Sequence, residues 1–581
     1  MSKRNIQRFL PYLTDLKKEI ILAALLGLIN GTSAVMMTFY IGKAIDTMVS
    51  IHEVKLKSLM SILILLIGIT LTTTLSQWLI QRLANRVAYF SIAHLRKDAF
   101  THLNKLPLKF YDQTAHGDIM SRFTNDLDFV SEACVAIFNT IFSGMTIVII
   151  SLISMFFLSP ILTLLVLTTT GFIFLVNWLV AQGSQKQFQK QQKIVGDLSG
   201  FLSETIEGQK VIKAFQGEEK SYEQFSNQNA TLQKVGEKAQ FISSLTNPLS
   251  RFVDHLGYLA IGVVSGVLII NQIGNITIGI ITSFIIYSSQ FSKPFIELSG
   301  ITPQIQTALA GLSRIFQLMD EPEEKIYSNE KTDAIIEEGK IEFKEVAFSY
   351  QKETPLIENF NLLVEPGKTI AIVGKTGAGK STLVNLLMRF YEVTSGEILI
   401  DNVPIKEIPR DTLRQSFGMV LQETWLFQGT IWENLTFGNP NATKEEVITA
   451  CKDASIYHFI TTLPDGFETQ LGQRGLSISD GQKQLLTIAR TMISQPKMLI
   501  LDEATSSVDT LTEQLIQDAF LNMMKDKTSF VIAHRLSTIR EADTILVMEA
   551  GEVVEIGSHD ELLKIKNGFY YTLYHAQFKH L

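Results

Sequence analysis

No charged residue occurs between Ala133 and Gln185. One helix needs only about 20 apolar residues to cross the hydrocarbon of a bilayer. This run is long enough for two, and Ser159-Pro160 supplies the break between them. A second uncharged run, Leu256 to Ser292, breaks at the turn Asn271–Asn275 and gives two more spans. Ser58 to Gln81 reads as a further span. Glu19 to Val49 reads as the sixth, with Lys43 and Asp46 near its far end. Paired spans without one charge do not suit the interior of a soluble protein of ordinary composition.

Basic residues orient the spans. The lead-in before the first carries Lys3, Arg4, Arg8, Lys17 and Lys18. It has no short apolar core with a cleavage site, so it reads as a cytoplasmic lead-in rather than a signal peptide. Arg82 to Arg122 places seven basic residues between the second and third spans, and Lys186 to Arg251 places nine between the fourth and fifth. The remaining connections hold only Lys55 and Lys57. Both termini and both long loops are therefore expected in the cytoplasm, with the membrane helices continuing into it. Within the spans, Asn139, Asn177, Glu132, Asp254 and His255 could line a pathway. The competing reading places them at a membrane boundary or against a neighbouring helix.

After Ile315 the apolar pattern stops. The acidic stretch MDEPEEKIYSNEKTDAIIEEGK, with Pro322, reads as a linker. From Ile341 short β-branched strands alternate with helical segments, which predicts an α/β domain with a largely parallel core sheet. The expected division is a membrane domain over 1–318, a linker over 319–338 and an α/β domain over 339–581. The net charge of −7 argues against nucleic acid as a partner. Cys134 and Cys451 lie in different regions and imply neither a disulfide framework nor a cysteine metal site.

The α/β region carries the chemistry. TIAIVGKTGAGKSTLVNLLMRF is a buried strand, a glycine-rich loop and an amphipathic helix, and Gly374 to Ser381 fits G-x-x-x-x-G-K-S. Backbone N–H groups of Gly374, Lys375, Thr376, Gly377, Ala378, Gly379, Lys380, Ser381 and Thr382 are placed to cradle phosphate oxygens. Lys380 would reach the β- and γ-phosphates of ATP, and the Ser381 hydroxyl would coordinate Mg²⁺. In MLILDE the strand delivers Asp502 for the metal and Glu503 as a base for water. His534 follows another buried strand and is expected to contact the γ-phosphate.

Together these motifs resemble the ATP-binding cassette (ABC) exporter half-transporters, six spans followed by one cassette, over essentially the whole chain. The resemblance implies the type IV exporter membrane fold, followed by an α/β P-loop nucleotide-binding domain. It makes Tyr350 in VAFSY the aromatic that stacks on adenine. Gln422 in MVLQETWLF becomes the glutamine that contacts Mg²⁺ and attacking water. SSVD, Ser506 to Asp509, matches the D-loop, and His534 the switch histidine. KFYDQTAHGDIMSRFTNDLDFV and FLSETIEGQKVIKAFQGEEK are similar to the two intracellular loops that dock on the cassettes.

ISDGQ, Ile478 to Gln482, is similar to the ABC signature, where Ser479, Gly481 and Gln482 close over the ATP held by a partner chain. The family's usual form is L-S-G-G-Q, so Ile478 and Asp480 depart from it. Leu485 stands where an Arg is common, and Gln473 where a Glu is usual. A carboxylate ~5 Å from a phosphate charge, at an effective dielectric of ~20, costs about 3 kcal/mol. The alternative is that Asp480 turns away and caps the following helix. The resemblance thus implies one subunit of a heterodimeric bacterial exporter in the cell membrane, moving amphiphilic or drug-like substrates as cassette closure and ATP hydrolysis alternate. A lipid or peptide exporter with the same engine, or a regulatory ATP-binding subunit gating its partner, are the competing readings.

Overall fold

The computed structural model describes residues 2–49, 56–273, 276–325, 335–351, 354–375, 377–422, 424–472, 475–502, 509–533 and 535–577. Thr376, Gln473, Glu503, Ser506 and His534 lie outside the described residues. The chain divides into two compact units, Met1–Lys105 with Ala115–Glu321, and Leu106–Thr114 with Pro322–Leu581.

The first unit is helical. Five of its helical stretches are long and apolar enough to cross a membrane among the described residues: Lys17–Met48, Leu56–Leu103, His116–Leu158, Pro160–Glu207 and Glu218–Ile270. Leu56–Leu103 and Pro160–Glu207 each hold 48 residues. At 1.5 Å per residue each is about 70 Å long, more than twice the hydrocarbon thickness, so both run well beyond a bilayer. The break between the third and fourth stretches falls at Ser159, whose hydroxyl accepts from the Leu162 N–H, with Pro160 at the first helical position.

The span predicted after the Asn271–Asn275 turn lies in Ile278–Asp320, which apolarity alone does not single out. Ser283, Ser288, Gln290, Ser292 and Lys293 lower its hydropathy. Ser283, Gln290 and Ser292, and Tyr287 beside them, find partners on neighbouring helices. The Ser283 hydroxyl donates to the Thr38 carbonyl (3.2 Å), Tyr287 to the Val35 carbonyl (2.9 Å) and Gln290 to the Thr38 hydroxyl (3.0 Å). Ser292 pairs with Thr170 at 3.3 Å. This helix and Lys17–Met48 approach backbone to backbone: a Cβ on Gly42 would sit 2.4 Å from the Gly279 carbonyl oxygen, and one on Gly279 2.1 Å from that of Gly42. Small residues permit such contact between membrane helices. Asp46 completes the crossing by accepting from the Gly279 N–H and the Thr277 hydroxyl, both at 2.7 Å.

The polar residues singled out in the spans are paired. Asn177 accepts from Ser250 (2.7 Å), Asn139 donates to Gln81 (2.7 Å) and Glu132 accepts from Gln304 (3.2 Å). Asp254 accepts from Tyr258 at 2.6 Å, and the His255 ring lies edge-on to the same tyrosine. Apart from the pair within one helix, these are contacts between helices, as the neighbour-pairing reading expects.

Among the described residues the second unit is built on two larger sheets and the two-stranded ribbon β7-β8. The strands are β1 (Ile341–Phe348), β2 (Ile357–Val364), β3 (Thr369–Gly374), β4 (Ser395–Ile400), β5 (Val403–Pro404), β6 (Phe417–Val420), β7 (Gly429–Thr430), β8 (Gln470–Leu471), β9 (Met498–Asp502), β10 (Thr528–Ile532), β11 (Thr544–Glu549) and β12 (Glu552–Gly557). The core sheet runs β12-β11-β3-β10-β9-β6, parallel except for β12. Every residue of β10 is buried, as a strand covered on both faces should be. Successive β3 side chains alternate between two cores: Ala371 and Val373 enter one, Ile370 and Ile372 the other. An antiparallel sheet, β2-β1-β4-β5, accompanies the parallel one and was not expected from the alternating pattern. The short helix Leu108–Gln113, from the first long loop, packs with this second unit.

Candidate nucleotide site

Four parallel strands deliver the motif residues to one edge. Ile532 of β10 is level with Ile372 of β3 and with Asp502 of β9, and Leu501 is level with Val420 of β6. The glycine-rich loop after β3, Asp502, and Gln422 two residues past β6 therefore all lie at carboxyl ends of adjacent strands. That edge of an open α/β sheet is where ligands bind.

The loop is shaped by backbone demands. A Cβ on Gly374 would lie 2.3 Å from the Met548 carbonyl oxygen. Gly377 and Gly379 adopt φ of +83° and +97°, which other residues resist. Gly379 then starts the helix Lys380–Leu387, so its first N–H groups face the loop. Lys380 curls across it, its Nζ donating to the carbonyls of Gly374 (2.8 Å) and Lys375 (3.1 Å). Burial pushes the Lys380 pKa down, and the Asp502 carboxylate opposes that shift. A partly desolvated ammonium among carbonyls is poised to exchange them for an anion. Lys375 is held by Glu549 at 3.6 Å, and the Ala378 carbonyl accepts the Gly551 N–H at 3.1 Å. Ser381 is exposed on the first turn, while Thr382 is buried beneath it.

Tyr350 is 41% exposed and stands beside the same helix. Its hydroxyl lies 3.3 Å from the Thr382 hydroxyl and accepts from the Asn385 amide at 3.2 Å. Its ring packs edge-on against Phe348 (4.8 Å) and Tyr391 (4.9 Å). Sequence reasoning missed Tyr391. Its hydroxyl donates to Asp112 of the Leu108–Gln113 helix at 2.5 Å. Burial and this hydrogen bond to a carboxylate together raise the Tyr391 pKa. No local pattern could pair residues 279 apart in sequence.

The signature opens the helix Asp480–Ile493. Ser479, not Asp480, caps it: its hydroxyl accepts from the Gln482 N–H (3.3 Å), and the Gln482 side chain accepts from the Ser479 N–H (3.0 Å). The expectation that Asp480 could be the cap is thus corrected; the S-x-x-Q spacing carried that signal. Asp480 instead sits on the first turn, its side chain 69% exposed and bridged to Lys483 at 2.8 Å. Gly481 is buried. Arg490, further along, donates to the Asn434 carbonyl (2.7 Å) and to the Trp425 carbonyl (3.1 Å). That ties the signature helix to the segment following Gln422. Of the D-loop, Asp509 is described; its carboxylate caps the helix Thr510–Met524 through the Thr512 N–H at 3.0 Å.

Comparison with known proteins gives the same outline. Residues 20–295 match the ABC transporter transmembrane region, and residues 357–506 match the ABC transporter domain. An uncharacterised ABC transporter ATP-binding protein of Bacillus subtilis is 39% identical over 100% of this chain and 95% of its own length. A fatty acid ABC transporter ATP-binding/permease protein of Mycobacterium tuberculosis is 42% identical over 88% of this chain and 81% of its own. A putative multidrug export ATP-binding/permease protein of Staphylococcus aureus is 34% identical over 98% and 100%. The structure of a bacterial Atm1-family ABC exporter with ATP bound superposes with a TM-score of 0.79 at 26% identity, covering 97% of this chain and 98% of that one. The chain belongs to the ABC exporter family, as a type IV membrane domain followed by the ATP hydrolase domain that powers transport.

Proposed function

We propose that this chain exports small amphiphilic or drug-like molecules across the bacterial cell membrane, as one half of an asymmetric pair with a second half-transporter. The observation that carries the substrate class is the interior of the helical unit. Gln290–Thr38, Thr170–Ser292 and Asn177–Ser250 are uncharged hydrogen-bonding pairs between its helices, each with at least one buried partner. An interior whose polar groups are neutral and already paired suits an amphiphilic molecule better than a bare ion. The names of the relatives point to drugs and to fatty acids, both within that class.

The engine reads as follows. Lys380 and the loop Gly374–Thr382 hold the phosphates of ATP, and Tyr350 stacks on adenine. Ser381, Gln422 and Asp502 offer a hydroxyl, an amide carbonyl and a carboxylate, a set of hard oxygen donors suited to Mg²⁺ shared with phosphate. Glu503 is the base for water, and His534 the γ-phosphate contact. The cassette and both termini lie in the cytoplasm. Ser479, Gly481 and Gln482 close over the partner's ATP.

Asymmetry rests on Asp480. While exposed and bridged to Lys483, its charge ~5 Å from a phosphate costs about 0.8 kcal/mol at the dielectric of water. Closure that removes water raises this toward ~3 kcal/mol. The partner's ATP, facing this signature, is then the slow one, and the ATP on this chain's own glycine-rich loop, Gly374 to Ser381, is the one hydrolysed. Expression alone and with a neighbour-encoded half-transporter tests the reading. Substrate-stimulated ATPase only on co-expression supports it, whereas a fully active homodimer overturns the heterodimer.

A further inference from the structure

A cavity of about 360 Å³ lies in the helical unit beneath the N-terminal helix Ser2–Thr14. Ile6, Leu10 and Leu13 form its roof, spaced to share one face of that helix. Val87, Ile137 and Ala308, from three other helices, form walls and floor. Ile6 and Leu10 remain 43% and 48% exposed, so the roof is not sealed.

The lining offers water almost nothing to bond, and a buried water needs two to four polar partners. Left empty, the walls would forfeit dispersion contacts. A hydrocarbon chain from the surrounding bilayer satisfies both conditions. An amphipathic helix of this kind lies at headgroup depth, which sets the mouth of the cavity at the lipid interface. The elements that line it carry a basic border: Arg4 on the roof helix, Lys17 and Lys18 just before the lining residue Ile20, and Arg82 and Arg86 beside Ala84 and Val87. Glu19 bridges Arg86 at 3.6 Å and Arg82 stands over the Trp78 ring at 5.6 Å, so Arg4, Lys17 and Lys18 are the basic groups left for a headgroup, and Asp15 and Glu132 offset only part of their charge. Arg8 is committed elsewhere, over the Phe316 ring at 4.3 Å and against Asp320 at 2.8 Å.

We propose that this cavity takes one acyl chain of an anionic phospholipid from the leaflet facing the N-terminus, with the basic border holding its headgroup. The site is separate from the polar interior assigned to substrate and stands whether or not that assignment holds.

The test uses the full transporter in liposomes containing phosphatidylglycerol or phosphatidylcholine, each with a diazirine midway along one acyl chain. After irradiation, peptides are mapped by mass spectrometry. The phosphatidylglycerol probe should label peptides from Ser2–Thr14 and Leu127–Asn139 roughly fivefold more than the phosphatidylcholine probe, the advantage one effective basic residue confers near a surface. Filling the cavity by Ala308→Leu, or independently by Ala88→Leu, should remove that labelling while basal ATPase persists. Equal labelling by both lipids overturns the proposal. So does labelling that survives both filling variants, or its absence because a partner subunit's helices occupy the space. Displacement of the probe by equimolar palmitate would instead identify a free fatty acid as occupant and overturn the phospholipid assignment.

Discussion

Tyr391→Phe removes one oxygen and leaves the aromatic packing in place. The lost bond is a hydroxyl donating to the Asp112 carboxylate at 2.5 Å. Hydrogen bonds to charged groups contribute about 1.5–3 kcal/mol, and exposure of Asp112 brings this case to the lower end, about 1.5 kcal/mol. That corresponds to roughly a tenfold change in an equilibrium. Asp112 belongs to the short helix of the first long loop, whereas the Tyr391 ring touches Tyr350 at 4.9 Å. The bond therefore links the proposed adenine-stacking side chain to a segment continuous with the membrane helices. Loss of it should leave ATP affinity and basal ATPase within about twofold. Substrate stimulation of ATPase, measured in proteoliposomes, should fall by about five- to tenfold. Asp112→Asn should do the same, and the double variant should add less than about 0.5 kcal/mol, since both remove one interaction. Fully additive losses would refute the linkage. Tyr391→Ala, which also removes the ring beside Tyr350, should in contrast weaken ATP binding.

Lys380→Ala should weaken binding of every nucleoside triphosphate by tenfold or more, read by nucleotide titration, because a charge-assisted contact to phosphate is lost; unchanged binding would contradict the proposed role of the glycine-rich loop. Asp480→Gly should raise ATP occlusion at the partner's site by at least about fourfold, the factor that corresponds to ~0.8 kcal/mol, and trapped-nucleotide counting checks this. Asp46→Ala removes two hydrogen bonds at the start of the Ile278–Asp320 helix. It should lower stability by about 1–2 kcal/mol, within the range for a lost helix cap, seen as a lower melting temperature in detergent with ATP affinity unchanged.

Much of this structure was written locally. Uncharged runs marked the paired spans, and the glycine spacing marked the loop, because each answers to a short-range demand. The span within Ile278–Asp320 is legible from absence of charge yet weak by apolarity, since Ser283, Ser292 and Gln290 bond to other helices. Asp46 shows in the sequence only as a charge near the far end of a span, because its partners lie 231 and 233 residues away. The capping box at Ser479 is legible from the S-x-x-Q spacing. Tyr391 and the β1–β4 pairing of the antiparallel sheet could not be read locally, because contacts between segments distant in sequence leave no periodic trace.

The most direct test of the account is transport itself. This chain and its candidate partner, reconstituted in inside-out vesicles, should accumulate a fluorescent amphiphile when given Mg²⁺ and ATP. Glu503→Gln in this chain should abolish that accumulation while ATP binding persists, since it removes the proposed base and nothing that holds nucleotide. Accumulation undiminished by Glu503→Gln, or ATP hydrolysis that moves no amphiphile at all, would contradict the account.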